Sequence, residues 1–121
     1  MIKVIIPMRL PGLNEYVDAC RGNKYEAANF KRQVENDCII FIKAALRGKT
    51  LTRIGMKFCW VEKDKRRDKD NICFAKKFIL DAMQNGRIIK NDGWDQIKYL
   101  HDEFDIDKNN PRVEILIEEV G

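Results

Sequence analysis

Ile54-Gly55-Met56-Lys57-Phe58-Cys59-Trp60-Val61-Glu62 runs directly into Lys63-Asp64-Lys65-Arg66-Arg67-Asp68-Lys69-Asp70-Asn71, and the change of periodicity across that junction sets the fold. Ile54, Met56, Phe58, Trp60 and Glu62 recur at every second residue, and Phe58 to Val61 are strong strand formers. Residues 51–62 therefore read as a strand with one apolar face. Downstream the period lengthens. Ile72, Ala75, Ile79, Ala82 and Met83 fall on one stripe of a helix expected from about Asp70 to Gln84, which Asn85-Gly86 ends. Between strand and helix lies the densest charge cluster in the chain.

Outward from this unit, the pattern repeats on the N-terminal side. Ile2-Lys3-Val4-Ile5-Ile6 reads as a strand closed by Pro7, and Pro11-Gly12 and Arg21-Gly22-Asn23 read as loop. From Tyr25 to Arg47 apolar residues recur at helical spacing (Ala27, Phe30, Val34, Cys38, Phe41, Ala45, widened by Ile42 and Leu46), with Gly48 as a stop. On the C-terminal side the turn at Asn91-Asp92-Gly93 precedes two β-like segments, Asp95 to Phe104 and Arg112 to Val120, separated by a turn signal at Asp107 to Pro111. The order strand, helix, strand, helix, strand, strand predicts an α/β or α+β fold. It is a single small domain over residues 1–121, with a four-stranded mixed sheet and two main packed helices.

Composition narrows the function. With 121 residues, 45% apolar and 35% charged, the chain is a folded domain and not a disordered one. Its longest apolar run, Cys38 to Ile42, is far short of the roughly 20 residues that cross a bilayer, and no signal-peptide stretch opens the chain. Cys20, Cys38, Cys59 and Cys73 are too widely spaced for a zinc knuckle or a redox pair, so a reduced, cytoplasmic protein without membrane association is expected. Charge is uneven: residues 1–100 carry 21 Lys/Arg against 12 Asp/Glu, and residues 101–121 carry 2 against 7. The basic body suggests a polyanionic partner, and the acidic end reads as a plain edge strand with a charged face, the alternative being that it repels DNA and so orients the basic face toward it.

The lone histidine, His101, lies in an expected strand beside acids and offers no catalytic constellation, and no glycine-rich phosphate loop occurs. What remains is Asp68-Lys69-Asp70-Asn71 at the strand-to-helix junction, followed by Asp92 at a turn. Carboxylates are hard oxygen donors of the kind Mg²⁺ takes, and carboxylates from different loops make an open site. Set inside Arg66, Arg67 and Lys69, they suit phosphodiester cleavage, since the cations draw in the polyanion that a metal would polarise. The competing reading has Asp68 or Asp70 capping the helix within a solvated charged face.

The chain resembles the RusA-type crossover-junction endodeoxyribonucleases, which resolve Holliday junctions and are common in prophages. The resemblance is carried by Arg67-Asp68-Lys69-Asp70-Asn71, by Lys77 ahead of Asp81-Ala82-Met83, and by Asn91-Asp92 before Asp95-Gln96-Ile97. Pro11-Gly12-Leu13-Asn14 and Arg21-Gly22 are similar too. It implies that Asp68, Asp70 and Asp92 hold metal and that a lysine is essential. The segment between Asp70 and Asp81 looks about three residues longer than in familiar members, so the lysine is Lys76 or Lys77; alignment backward from Asp81 chooses Lys77. On a continuous helical wheel Lys77 also lies about 20° from Asp70 and Lys76 about 120° away. A plain surface pair of Lys77 with Asp81, one turn on, is the alternative. Asn91 stands where relatives often have another acid.

The implied activity is metal-dependent hydrolysis by paired nicks in four-way DNA junctions. Two Mg²⁺ ions, for which Mn²⁺ would substitute, would activate water and stabilise the leaving 3′ oxygen. Lys77 would stabilise developing charge, and Arg21, Lys24, Lys31, Arg32, Lys65, Arg66, Arg67, Lys69 and Lys76 are candidate phosphate contacts. A C2 homodimer would match the symmetry of the junction. The competing classes are a non-catalytic nucleic-acid-binding module and a flap or general structure-selective nuclease.

Overall fold

The computed structural model describes all 121 residues. Its order is β1 (Ile2–Ile6), α1 (Leu13–Cys20), α2 (Lys24–Leu46), β2 (Ile54–Glu62), α3 (Lys69–Cys73), α4 (Lys76–Asn85), β3 (Ile97–Ile106) and β4 (Arg112–Glu119). The strands form one mixed sheet in the order β1-β4-β2-β3, in which β4 is antiparallel to β1 and β2, and β3 is parallel to β2. This is the expected four-stranded mixed sheet, with helices gathered on one face.

The period-two face of β2 points into the core: Ile54, Met56, Phe58 and Trp60 are all buried, as are Val4 and Ile6 of β1 and Val113, Ile115 and Ile117 of β4. Val34, Cys38, Ile42 and Leu46 of α2 cover them, joined by Phe78, Ile79, Ala82 and Met83 of α4. Twenty-three buried residues, Ile72 and Ala75 among them, make one continuous cluster. Burial pushes the Cys38 thiol up to about 12, which fits a small core residue rather than a nucleophile.

Three expectations change. Residues 13–20, expected as loop, form α1. Leu13, Tyr16, Val17 and Cys20 have helical spacing, and Tyr16 joins Phe30, Phe74 and Phe78 in a ring cluster with centroids 5.6–6.3 Å apart. The helix expected over residues 70–84 is two helices. Between them Ala75 N–H donates to the Ile72 carbonyl, Lys77 N–H to Phe74 and Phe78 N–H to Ala75, all i to i+3 bonds that tighten the turn. No glycine or proline marks the break. Phe74 stacks on Tyr16 there, so packing and not local sequence sets it. Finally, the acidic C-terminal strand is not an edge: β4 lies between β1 and β2. Its acids are matched by Lys3 and Arg112 for Glu114, Tyr99 for Glu118 and Lys49 for Glu119.

Candidate active site

Parallel strands β2 and β3 end side by side, Glu62 against Ile106, and a ligand site in an open sheet lies beyond such carboxyl ends. The chain leaves β2 through a loop that Arg67 organises from inside. Its guanidinium grips the Glu62 carboxylate with two bonds (Nε to Oε1 2.9 Å, Nη2 to Oε2 2.8 Å), and Nη1 donates to the Leu10 carbonyl at 3.1 Å and to Glu15 Oε1 at 3.3 Å. This explains why Glu62 ends an apolar face: it is a buried acid with a built partner. Asn71, also buried, accepts from the Asn14 backbone N–H at 2.9 Å, tying α3 to the start of α1.

That frame exposes Asp68 and Asp70. Asp68 sits at the N-cap of α3, yet its side chain makes no capping hydrogen bond. Asp70 accepts only the adjacent Asn71 N–H at 3.0 Å. Helix capping therefore does not occupy either carboxylate, and neither has a cation partner among the ion pairs of the fold, in contrast to Asp64, Asp81, Asp102 and Asp107. Asp92 is exposed in the turn before β3.

Two clefts meet at Asp70. One, of about 590 Å³, is lined by Asp68 and Asp70 with Asp64, Lys65, Lys69 and Asp105, over the Phe104 ring. Lys69 Nζ stands 5.5 Å from the centre of that ring. The other, of about 390 Å³, brings Asp70 together with Asp92, Lys76 and Lys77. No three acidic, histidine or cysteine side chains converge closely enough to enclose a single ion, so Asp70 is the common member of two acidic pairs.

The two lysines are held differently. Lys76 pairs with Asp102 of β3, whose other oxygen accepts from Trp60 Nε1 at 2.8 Å, and it lies 5.9 Å from the Phe58 ring centre. Lys77, 55% exposed, pairs with Asp81 at 3.3 Å, the surface pair anticipated as the alternative. Asp81 also holds Lys31 of α2 at 2.8 Å. Burial raises the Asp81 carboxyl, but the Lys31 hydrogen bond and the charges of Lys31 and Lys77 outweigh it and hold the group below its ordinary value. Because the break between α3 and α4 is built of three-residue turns, the wheel angles drawn for a continuous helix do not carry across it.

Of the expected phosphate contacts, Lys65, Arg67 and Lys69 line the first cleft and Lys76 the second, and exposed Arg66 neighbours them. Arg67 is turned inward onto Glu62, Leu10 and Glu15. Arg21, Lys24, Lys31 and Arg32 lie on α2 or just before it and line neither cleft. Sequence reasoning passed over Asp102 and Asp105, which the parallel register places beside Phe58 and Val61. Period two sets Asp102 on the face of Phe104 and Asp105 on the opposite face, and the pairing of β3 with β2 brings each to its place.

Among curated proteins none matches the chain. A family model described as endodeoxyribonuclease RusA matches residues 6–118, from the end of β1 to the penultimate residue of β4, and so takes in both clefts and every carboxylate that lines them. With nearly all of its 121 residues matched, the chain belongs to the RusA endodeoxyribonuclease family.

Proposed function

We propose that this protein is a metal-dependent endodeoxyribonuclease that resolves four-way DNA junctions by paired hydrolytic nicks, acting as a homodimer. The observation that carries the reading is the meeting of two clefts at Asp70, with Asp68 on one side and Asp92 on the other, all three without cation partners, and lysines in both clefts. Unpaired exposed carboxylates are poor stabilisers of a fold and good ligands for a hard cation that keeps most of its water. Asp70 with Asp68 and Asp92 would hold Mg²⁺, or Mn²⁺ in its place. The ion would supply an acidified water and neutralise charge on the leaving 3′ oxygen.

The remaining work falls to the chain itself. Lys65, Arg66 and Lys69 would attract the phosphodiester backbone to the first cleft. Lys77 is the better candidate for charge stabilisation at the scissile phosphate. Its pair with Asp81 is exposed at the lysine end, of a kind worth about 0–1 kcal/mol, and Asp81 keeps Lys31 when Lys77 swings away. Lys76 would instead contribute a fixed positive charge anchored by Asp102.

The test is cleavage of a four-way junction, a flap and a linear duplex with Mg²⁺ and with EDTA, beside thermal melts of the same preparations. Asp70→Asn should lose cleavage by orders of magnitude, keep its melting temperature and still bind junction without metal. Near wild-type nicking by Asp70→Asn would overturn the site. Lys76→Ala and Lys77→Ala measured together assign the lysine, loss confined to Lys76→Ala refuting the choice made here. Light scattering near 14 kDa at assay concentration would refute the dimer.

A further inference from the structure

We propose that Trp94 is a base-stacking subsite, an aromatic platform for an unpaired nucleobase of the DNA next to the carboxylates. The inference rests on the branched-DNA reading above. Trp94 is 95% exposed, whereas the other tryptophan, Trp60, is 2% exposed and hydrogen-bonded to Asp102. An indole is a large apolar surface, and no part of this fold covers the one at position 94.

The turn that carries the ring is closed on both sides. Asn91 Oδ1 accepts from the Gly93 N–H at 2.9 Å, and the Gly93 carbonyl accepts from Gln96 N–H at 3.2 Å and Ile97 N–H at 2.9 Å. Trp94 therefore stands on a pinned backbone, and its ring has only two side-chain torsions to give up when a base stacks on it.

Its position fits the chemistry. Trp94 is two residues beyond Asp92, which lines the second cleft, and two extended residues span at most about 7 Å. Bases along one strand are spaced about 3.4 Å apart, so a phosphate at Asp92 would have neighbouring bases within about two steps of the indole. Exposed Lys90 and Lys98 flank the turn. Cations along the backbone path with an aromatic ring beside them is the arrangement that binds unpaired strands, because every base has a face to stack and every phosphate a charge. Tyr25, the other strongly exposed ring, begins α2 and is remote in sequence from both clefts' carboxylates.

The buried and exposed tryptophans give a direct readout that does not depend on cleavage. Wild-type protein is titrated in EDTA with a dye-labelled four-way junction. Anisotropy reports occupancy, and acrylamide quenching of tryptophan emission reports access to Trp94. At saturation the quenching constant should fall at least about twofold, and a perfect duplex at equal occupancy should leave it unchanged. Trp94→Phe should abolish the signal with affinity within about threefold of wild type, and Trp94→Ala should weaken junction binding roughly 5- to 150-fold. Junction binding with unchanged acrylamide access, or wild-type affinity in Trp94→Ala, would overturn the subsite and leave the nuclease reading intact. Shielding that grows with protein concentration alone would overturn it too, by assigning the ring to a contact between copies. Absence of binding to any of the DNAs would remove the branched-DNA reading and the subsite together.

Discussion

Removing the Arg67 guanidinium should cost more stability than removing any exposed cation of the charge cluster. Its side chain is 12% exposed and that of Glu62 is 7% exposed, so Arg67→Ala strands a buried carboxylate and also deprives the Leu10 carbonyl of a donor. Breaking one side of such a pair costs about 3–5 kcal/mol. Unfolding entropy near the melting point is about 2.1 cal/mol/K per residue, or about 0.25 kcal/mol/K for a chain of this length, so the melting temperature should drop by about 12–20 °C. Arg67→Lys should recover only part of this, because an ammonium cannot make the two parallel bonds. The double variant Glu62→Leu, Arg67→Leu should be more stable than Arg67→Ala, since no charge is left unpaired. Calorimetric melts at neutral pH check all three. If Arg67→Ala melted within about 3 °C of wild type, or the double variant lost the sum of its parts, the organising role assigned to this ion pair would be wrong.

A Cβ at Gly12 would lie 2.5 Å from the Asn71 carbonyl oxygen and 2.7 Å from its Oδ1, and backbone cannot rotate aside. Gly12→Ala should therefore cost about 1–3 kcal/mol in a melt and reduce cleavage further than that loss explains, because Asp70 is bonded to the residue displaced. Lys65→Ala with Arg66→Ala should flatten the log-log salt dependence of junction affinity by about 1–2 units, whereas an unchanged slope would place the DNA elsewhere. Asp81 titrates below its ordinary value of 3.8 in the folded chain, so the unfolded chain takes up the proton first as pH falls. Its contribution should be whole above about pH 5 and vanish on acidification through 3.8 and below, so the melting difference between wild type and Asp81→Asn should close over that window. A difference independent of pH would assign Asp81 a packing role only.

The sheet and the large helices were legible because their apolar residues repeat cleanly: the β2 face and the stripe of Ile72, Ala75, Ile79, Ala82 and Met83 are all buried, including Glu62, the one acid on that face, which Arg67 meets. The break at Phe74 and Ala75 was not, because it comes from a ring on α1 some sixty residues away and leaves no local mark. The eight residues of α1 carry the right spacing but bury no residue fully, and Tyr16 gains its partners only once α2 and α4 are in place. Residue types and spacing singled out Asp68, Asp70 and Asp92, and the fold sets Asp70 in one cleft with Asp68 and in another with Asp92. The inward turn of Arg67 was hidden, since its partners Leu10 and Glu15 are brought near only by the fold. Strand order was hidden for the same reason: charge suggested an edge for β4, and Lys3 and Arg112 neutralise its Glu114 within the sheet.

That interior place of the last strand has a kinetic consequence. Until residues 112–119 dock, β1 has no strand partner and β2 has only β3, so the sheet exists as two separated pieces. Joining them requires pairing Ile2 with Ile117, a loop closure across almost the whole chain, and such non-local contacts form late and slowly. A nascent chain emerging from the ribosome would thus hold Asp68, Asp70 and Asp92 on an unfinished sheet until residues 112–119 are free to pair. By topology, the sheet that carries the candidate site is completed only after residues 112–119 have been made.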